Sequence, residues 1–110
     1  MQFYDGQIFH IYNQGNNREK IFFIEENYPY FLKKIRTFIL PHADILAYCL
    51  MPNHFHLLVC VHSLEIKMAN DTWRSLNKSI GIMLMSYTNA INKQEQRSGS
   101  LFRQNTKIED

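Results

Sequence analysis

The sequence predicts an α+β fold in which an antiparallel sheet has two helices packed on one face. Three observations predict it. Two segments have apolar residues at helical spacing, strand-like segments lie around them, and the two central strand-like segments are joined by only two residues. Because there is no repeat, low-complexity tract or linker, residues 1–110 are expected to form a single domain.

The first predicted strand and the first predicted helix lie in the N-terminal part of the chain. Gln7 to Tyr12 is rich in aromatic and β-branched residues, and it ends at a polar run, residues 13–17, that is typical of a turn. A helix is expected to follow, because apolar side chains between Tyr28 and Ile39 recur at helical spacing. Asn27 is a candidate N-cap for this helix, and Pro41 is expected to end it.

The central part of the chain predicts a hairpin. Asp44 to Met51 and His54 to His62 have the composition of strands. Between them lies Pro52-Asn53, and both residue types are suited to a tight turn. Because so short a link cannot cross over a sheet, the two strands are expected to be antiparallel neighbours.

A second helix and a last strand complete the predicted fold. The helix is expected from about Asp71 to Lys93, and the strand from Leu101 to Lys107. The order β-α-β-β-α-β is that of a ferredoxin-like domain, which leaves one face of its sheet open to a ligand. The predicted apolar stripe of the second helix consists of Trp73, Leu76, Ile80, Met83, Leu84, Tyr87 and Ile91.

Charge is unevenly distributed, although the formal net charge is only +2. Residues 67–107 contain seven basic and two acidic side chains, whereas residues 1–66 contain five basic and six acidic ones. A basic second half is compatible with a polyanionic partner, and equally with solvated helix faces. No apolar run reaches 18 residues and no N-terminal signal pattern is present, so we expect no membrane partner and a cytoplasmic location.

The third predicted strand carries the pattern that points to chemistry. Successive strand residues alternate between faces, so His54 and His56 share one face, and the other face, assigned to the core, carries Phe55, Leu57, Val59 and Val61. Two imidazoles at positions i and i+2 can converge on one cation, and a mixed site would need a further ligand from elsewhere in the fold. His10 and His42 are expected to be structural or exposed.

Three separate segments resemble one known family. Leu50 to Val59, which reads LMPNHFHLLV, is similar to the signature of single-tyrosine HUH transposases of the REP-associated and insertion-sequence-200-like group. Phe9 to Arg18 resembles the first strand of that family and its Asn/Arg-rich turn. Ser86 to Lys93, followed by Arg97 to Phe102, resembles the end of its second helix and the loop into its last strand. The resemblance covers nearly the whole chain.

The resemblance implies a DNA-cleaving and DNA-joining enzyme. His54 and His56 would hold a divalent metal, Mg or Mn, which polarises the scissile phosphate of single-stranded DNA. A tyrosine hydroxyl would then form a 5′-phosphotyrosine link that preserves a transferable phosphodiester. The implied partners are single-stranded or hairpin DNA, and because family members include monomers and dimers, a homodimer is possible.

The nucleophile of the family lies on a helix after the last strand. This sequence reaches Asp110 about where that helix is expected to begin, so the domain resembles one that lacks the nucleophile helix, and no catalytic tyrosine is assigned. Tyr87 lies in the apolar stripe of the second helix and is interpreted as a core residue, while Tyr48 and Tyr12 are weak candidates. The chain alone is therefore expected to be inactive.

Candidate DNA contacts lie in two polar segments, because amide and guanidinium groups bond phosphates and base edges. Turn chemistry is the competing interpretation of the asparagines. Two alternatives also remain for the protein as a whole: a non-catalytic ferredoxin-like module that binds single-stranded nucleic acid, and a domain whose His54 and His56 hold zinc structurally. The candidate DNA contacts are Asn13, Asn16, Asn17, Arg18, Arg97, Arg103 and Lys107.

Overall fold

The computed structural model describes residues 6–110 and confirms the predicted α+β fold. A four-stranded sheet has the order β2-β3-β1-β6, and each neighbouring pair of strands is antiparallel. This is the strand order of a ferredoxin-like domain. The elements are β1 (Ile8–Gln14), α1 (Asn27–Phe38), β2 (Ala43–Met51), β3 (His54–Val61), β4 (Glu65–Lys67), β5 (Trp73–Ser75), α2 (Leu76–Glu95) and β6 (Lys107–Glu109), with a short 3-10 turn at Asn16–Arg18.

The core lies between one face of the sheet and the two helices. On β3, Phe55 and Leu57 are fully buried, whereas His54 and His56 are only partly buried on the other face. This confirms the predicted alternation. Burying each large apolar side chain stabilises the fold by about 1.5–3 kcal/mol. The buried helix residues that cover the sheet are Phe31, Ile35, Leu76, Ile80, Met83, Leu84, Tyr87 and Ile91.

The prediction that the second helix begins near Asp71 was wrong. Two three-residue strands, β4 and β5, form a hairpin there, and α2 begins only at Leu76. Asp71 has a φ of 72°, a left-handed conformation that cannot continue a right-handed helix. The Ser75 hydroxyl accepts a hydrogen bond from the Lys78 amide at 3.1 Å and so caps the helix after the hairpin. Trp73, predicted in the apolar stripe, is instead 63% exposed.

The last strand also differs from the prediction of Leu101 to Lys107. Leu101 and Phe102 are not part of the last strand, and their side chains are buried in the core. Asn105 then turns the chain with a φ of 63°. Only then does the chain pair with β1, where Lys107 lies opposite Tyr12. The strand therefore begins where it was predicted to end.

Two boundaries near the start of the chain also change. β1 continues to Gln14, two residues beyond the prediction, because it pairs with β3 along its whole length. Asn27 does not cap α1. Its side-chain oxygen accepts hydrogen bonds from the amides of Phe23 and Ile24, so it closes the preceding turn instead.

Gly15 occupies a crowded position at the end of β1. A Cβ atom there would lie 1.9 Å from the carbonyl oxygen of Glu19. The Gly15 amide donates to the Asn53 carbonyl at 2.9 Å, and the Asn16 amide donates to the Leu101 carbonyl at 2.8 Å. The backbone at Gly15 thus joins the end of β1 to the β2–β3 turn and to the loop before β6.

We predict that Gly15→Ala destabilises the protein by about 1–3 kcal/mol, because the Glu19 backbone must move to admit the methyl group. The matched control is Gly81→Ala within α2, where an added Cβ meets no heavy atom within 4 Å. That control is expected to stabilise by about 0.5–1 kcal/mol. Urea unfolding of the three proteins measures both effects, and equal stability of the two variants would contradict the close approach.

His42 is a structural residue, as predicted, and is fully buried. Its Nδ1–H donates to the Ser63 carbonyl at 2.8 Å, and its Nε2 accepts from the Ser79 hydroxyl at 2.8 Å. Both bonds suit the neutral ring. Burial lowers the pKa of His42 below its ordinary value of 6.5.

This pKa predicts how stability depends on pH. Above pH 6.5 His42 is neutral in both the folded and the unfolded chain. As the pH falls below that value, the unfolded chain binds a proton that the folded protein resists, so the free energy of unfolding decreases. We expect the decrease between pH 7 and pH 5 to be smaller in His42→Gln than in the wild type. A wild-type slope in His42→Gln would contradict the assignment.

Candidate functional site

A cleft of about 510 Å³ lies on the open face of the sheet. We call it the histidine cleft. The strand register forms it: β1 and β3 place Tyr12 opposite His56 and Gln14 opposite His54, and β6 places Lys107 opposite Tyr12. The cleft is lined by Tyr12, Asn13, Gln14, His54, His56, Arg103, Gln104, Asn105 and Lys107.

The two histidines of the predicted pair lie beside each other in this cleft. Their ring centroids are 5.2 Å apart and their planes are nearly perpendicular, at 88°. The Nδ1 atom of His54 lies 2.8 Å from the side-chain oxygen of Asn53. Because an amide oxygen only accepts, the His54 Nδ1 carries the proton, and in the neutral ring Nε2 is left with a free electron pair.

His10 does not line the cleft but contacts His56 beside it, a contact that the sequence did not indicate. Its Nε2 lies 2.7 Å from the Nδ1 of His56, and the two rings are nearly parallel, with centroids 4.9 Å apart. Because strand residues alternate between faces, the sequence could show that His10 lies on the same face of the sheet as Tyr12. What the sequence lacked was the register that sets β1 against β3. Burial lowers the pKa of His56, and the nearby His10 and His54 lower it further.

Tyr12 packs against both of these imidazoles. Its ring centroid lies 4.5 Å from that of His10 and 5.4 Å from that of His56. The Tyr12 hydroxyl donates to Glu109 Oε1 at 3.0 Å, and this hydrogen bond raises the pKa of Tyr12. The Tyr12 hydroxyl therefore lies at the edge of the cleft with its proton directed at the Glu109 carboxylate.

The other two tyrosines considered from the sequence do not line the histidine cleft. Tyr87 is fully buried on the helix side, as predicted, and its hydroxyl donates to the Ile21 carbonyl at 2.7 Å. Burial raises its pKa strongly. Tyr48 is exposed on β2 opposite Leu57, and it lines a neighbouring pocket together with His10 and His56.

Two cationic side chains line the cleft. Arg103 and Lys107 are both exposed, and the loop that carries Arg103 is tied to β1 by its amide, which donates to the Gln14 carbonyl at 3.0 Å. Asn13 strengthens this tie: its side-chain nitrogen donates to the Arg103 carbonyl at 3.0 Å and to the Thr106 hydroxyl at 3.1 Å. Asn13 was predicted as a DNA contact, but its 7% exposure and these bonds give it a structural role.

The remaining predicted DNA contacts do not line the cleft. Asn16, Asn17 and Arg18 are exposed on the 3-10 turn beyond β1, where Asn17 and Arg18 have φ values of 56° and 61°. Arg97 hydrogen-bonds the Asn92 side chain and, at 3.2 Å, the carbonyl of Ser100, so it closes the loop after α2. The sequence interpretation missed three amides that do line the cleft, those of Gln14, Gln104 and Asn105.

The donor set fits a metal site that the protein only partly surrounds. Within residues 6–110, no group of three or more His, Cys, Asp or Glu side chains could hold a metal ion. Two imidazole nitrogens and the amide oxygens around the cleft would therefore leave coordination positions to water or to ligand oxygens, which Mg and Mn accept.

In the same described residues, no helix is long and apolar enough to cross a bilayer.

Comparison with known proteins supports the fold. No protein-family model and no curated protein matches the chain. Among solved structures, the chain is similar to a REP-associated tyrosine transposase bound to a REP hairpin, with a TM-score of 0.63 and 14% sequence identity. The similarity covers 98% of this chain but only 58% of that one. At this identity the likeness establishes a shared ferredoxin-like α+β fold.

We predict that Asn13→Ala loosens the loop that carries Arg103. The change leaves the Arg103 carbonyl and the Gln14 amide without their side-chain partner, at a cost of about 1–3 kcal/mol. Amide hydrogen exchange at residues 103–107 should become faster, while Asn16→Ala, an exposed control, should leave it unchanged. Unchanged exchange in Asn13→Ala would contradict the structural role.

Proposed function

We propose that this chain is a transposase-type domain that binds single-stranded or hairpin DNA in the histidine cleft. One observation carries the proposal: the strand register brings His54 and His56 together with Arg103 and Lys107 on the open face of the sheet. Imidazole suits a divalent metal, and the two cations suit phosphate. A transposase bound to a DNA hairpin has the same fold, which supports this choice of ligand.

The metal in this proposal is Mg or Mn, held by the Nε2 atoms of His54 and His56. When bound, it would supply Lewis-acid polarisation of a scissile phosphate. The chain's own residues would prepare the site. The Asn53 side chain fixes the proton of His54 away from Nε2, and the lowered pKa of His56 favours the neutral ring that a metal requires.

Arg103 and Lys107 would neutralise DNA phosphates at the side of the cleft formed by β6 and its preceding loop. Neutral amides from Gln14, Gln104 and Asn105 would add hydrogen bonds to phosphates or base edges. We retain Asn16, Asn17, Arg18 and Arg97 only as proposed contacts outside the cleft, for DNA that extends beyond it. Asn13 would act through the loop that it anchors.

Strand cleavage and rejoining through a phosphotyrosine belong, in this proposal, to the complete enzyme. Tyr87 cannot reach the cleft from the buried side of the sheet, and the Tyr12 hydroxyl is engaged by the Glu109 carboxylate on β6. We therefore assign no nucleophile among the described residues and expect this chain to bind DNA without cleaving it efficiently. The chain spans 58% of the transposase structure to which it is similar.

A non-catalytic module that binds single-stranded nucleic acid is the second candidate. The cluster of His10, Tyr12 and His56 rings on the open face favours it. Rings of this kind can stack on unpaired bases. In this case the histidines would contribute as flat surfaces and not as metal ligands.

The first test replaces the two cleft cations. We predict that Arg103→Gln with Lys107→Gln weakens binding of a foldback DNA at low salt and reduces the salt dependence of binding by about one unit of slope per lost phosphate contact. The control is Lys33→Gln with Arg36→Gln, which removes the same charge from exposed positions on α1. Equal loss in the two double variants would show non-specific attraction and would overturn the cleft as the DNA site.

The second test separates the two candidate functions. We predict that His54→Ala with His56→Ala abolishes Mn²⁺ binding, measured by electron paramagnetic resonance of free Mn²⁺, and removes any Mn²⁺-dependent gain in DNA affinity. Unchanged metal and DNA binding would favour the non-catalytic module. Stoichiometric zinc that survives purification and a chelator would instead indicate a structural metal site.

A further inference from the structure

We infer that His10 is a positioning residue for His56, whose Nδ1–H it accepts as a hydrogen bond so that the His56 Nε2 is free to bind a metal. The inference rests on the proposed function of the histidine cleft. It is carried by one contact, the 2.7 Å separation between His10 Nε2 and His56 Nδ1. The two residues are 46 positions apart in the chain, and they meet because β1 pairs with β3.

A hydrogen bond between two neutral imidazoles contains one proton, and its location decides what His56 can do. If His10 Nε2 carried the proton, His56 would accept at Nδ1 and would carry its own proton at Nε2. That nitrogen would then have no electron pair for a metal. If His56 Nδ1 carries the proton, its Nε2 has a free electron pair, and only this arrangement matches His54, whose Nδ1 donates to Asn53.

The surrounding rings fix the orientation that the contact needs. His10 and His56 are nearly parallel, at 22°, and Tyr12 packs against both. The Tyr12 hydroxyl is in turn held by Glu109 on β6. This stacking holds the His56 ring in the plane in which its Nδ1 atom faces His10 Nε2 at 2.7 Å.

Such an outer partner is what metal-binding histidines usually require. A hydrogen-bond acceptor on the second ring nitrogen fixes the tautomer, and its loss typically weakens metal affinity by about 10–100-fold. His54 has an amide oxygen in this role, and His56 has an imidazole. The site therefore uses three histidines, two of them as ligands and one as the acceptor that orients a ligand.

The test uses nitrogen-15 NMR of the imidazoles in metal-free protein, followed by Mn²⁺ titration. In the wild type, His56 is expected to carry its proton on Nδ1. His10→Phe retains a flat ring but removes the acceptor, so His56 should shift toward the Nε2–H tautomer, and Mn²⁺ affinity should fall by about 10–100-fold. His10→Gln supplies an amide oxygen and should restore the tautomer and part of the affinity. His62→Phe, at an exposed position, is the control for removing a histidine.

The outcomes separate the inference from the proposed function. A wild-type His56 with its proton on Nε2, or a His10→Phe protein that binds Mn²⁺ as tightly as the wild type, would overturn the role of His10. Absence of Mn²⁺ binding in every protein, wild type included, would instead overturn the proposed metal site and, with it, any role of His10 in orienting a metal ligand. Rescue of both tautomer and affinity by His10→Gln would support positioning over simple packing.

Discussion

The antiparallel register between β1 and β3 is the constraint on which the rest of the site depends. It sets Tyr12 opposite His56 and Gln14 opposite His54. Because side chains alternate along a strand, a slip of one residue would bury both histidines and expose Phe55. The apolar residues that alternate with the histidines therefore do two things: they form the core, and they hold the histidines on the open face.

A second constraint brings positive charge to that face. The end of β1 is tied to the loop before β6 by the Asn13 side chain and by the amide that Arg103 donates to Gln14. Gly15 permits this arrangement, because its missing Cβ leaves room for the Glu19 carbonyl. Arg103 and Lys107 thus reach the histidine cleft through backbone geometry, although they lie 47 to 53 positions from His54 and His56 in the chain.

The sequence predicted the parts of the fold that depend on regular alternation. The shared face of His54 and His56 follows from a period of two, which is local information. The order of the strands and helices along the chain indicated the ferredoxin-like topology. The sequence could not predict the β4–β5 hairpin or the late start of β6, because strands of three residues are too short to show a period. The left-handed backbone of Asp71, which excludes it from the second helix, is also not visible in the residue composition. His10 was missed because its contact with His56 depends on tertiary pairing.

Paramagnetic broadening by Mn²⁺ is the most direct measurement of the central claim, which is that the histidine cleft holds the metal. With nitrogen-15 labelled protein, substoichiometric Mn²⁺ should first broaden the amide signals at the start of β3 and the end of β1, around His54, His56 and Gln14. Broadening that begins instead at an exposed acidic pair such as Glu25 and Glu26, and leaves the cleft signals sharp, would contradict the account.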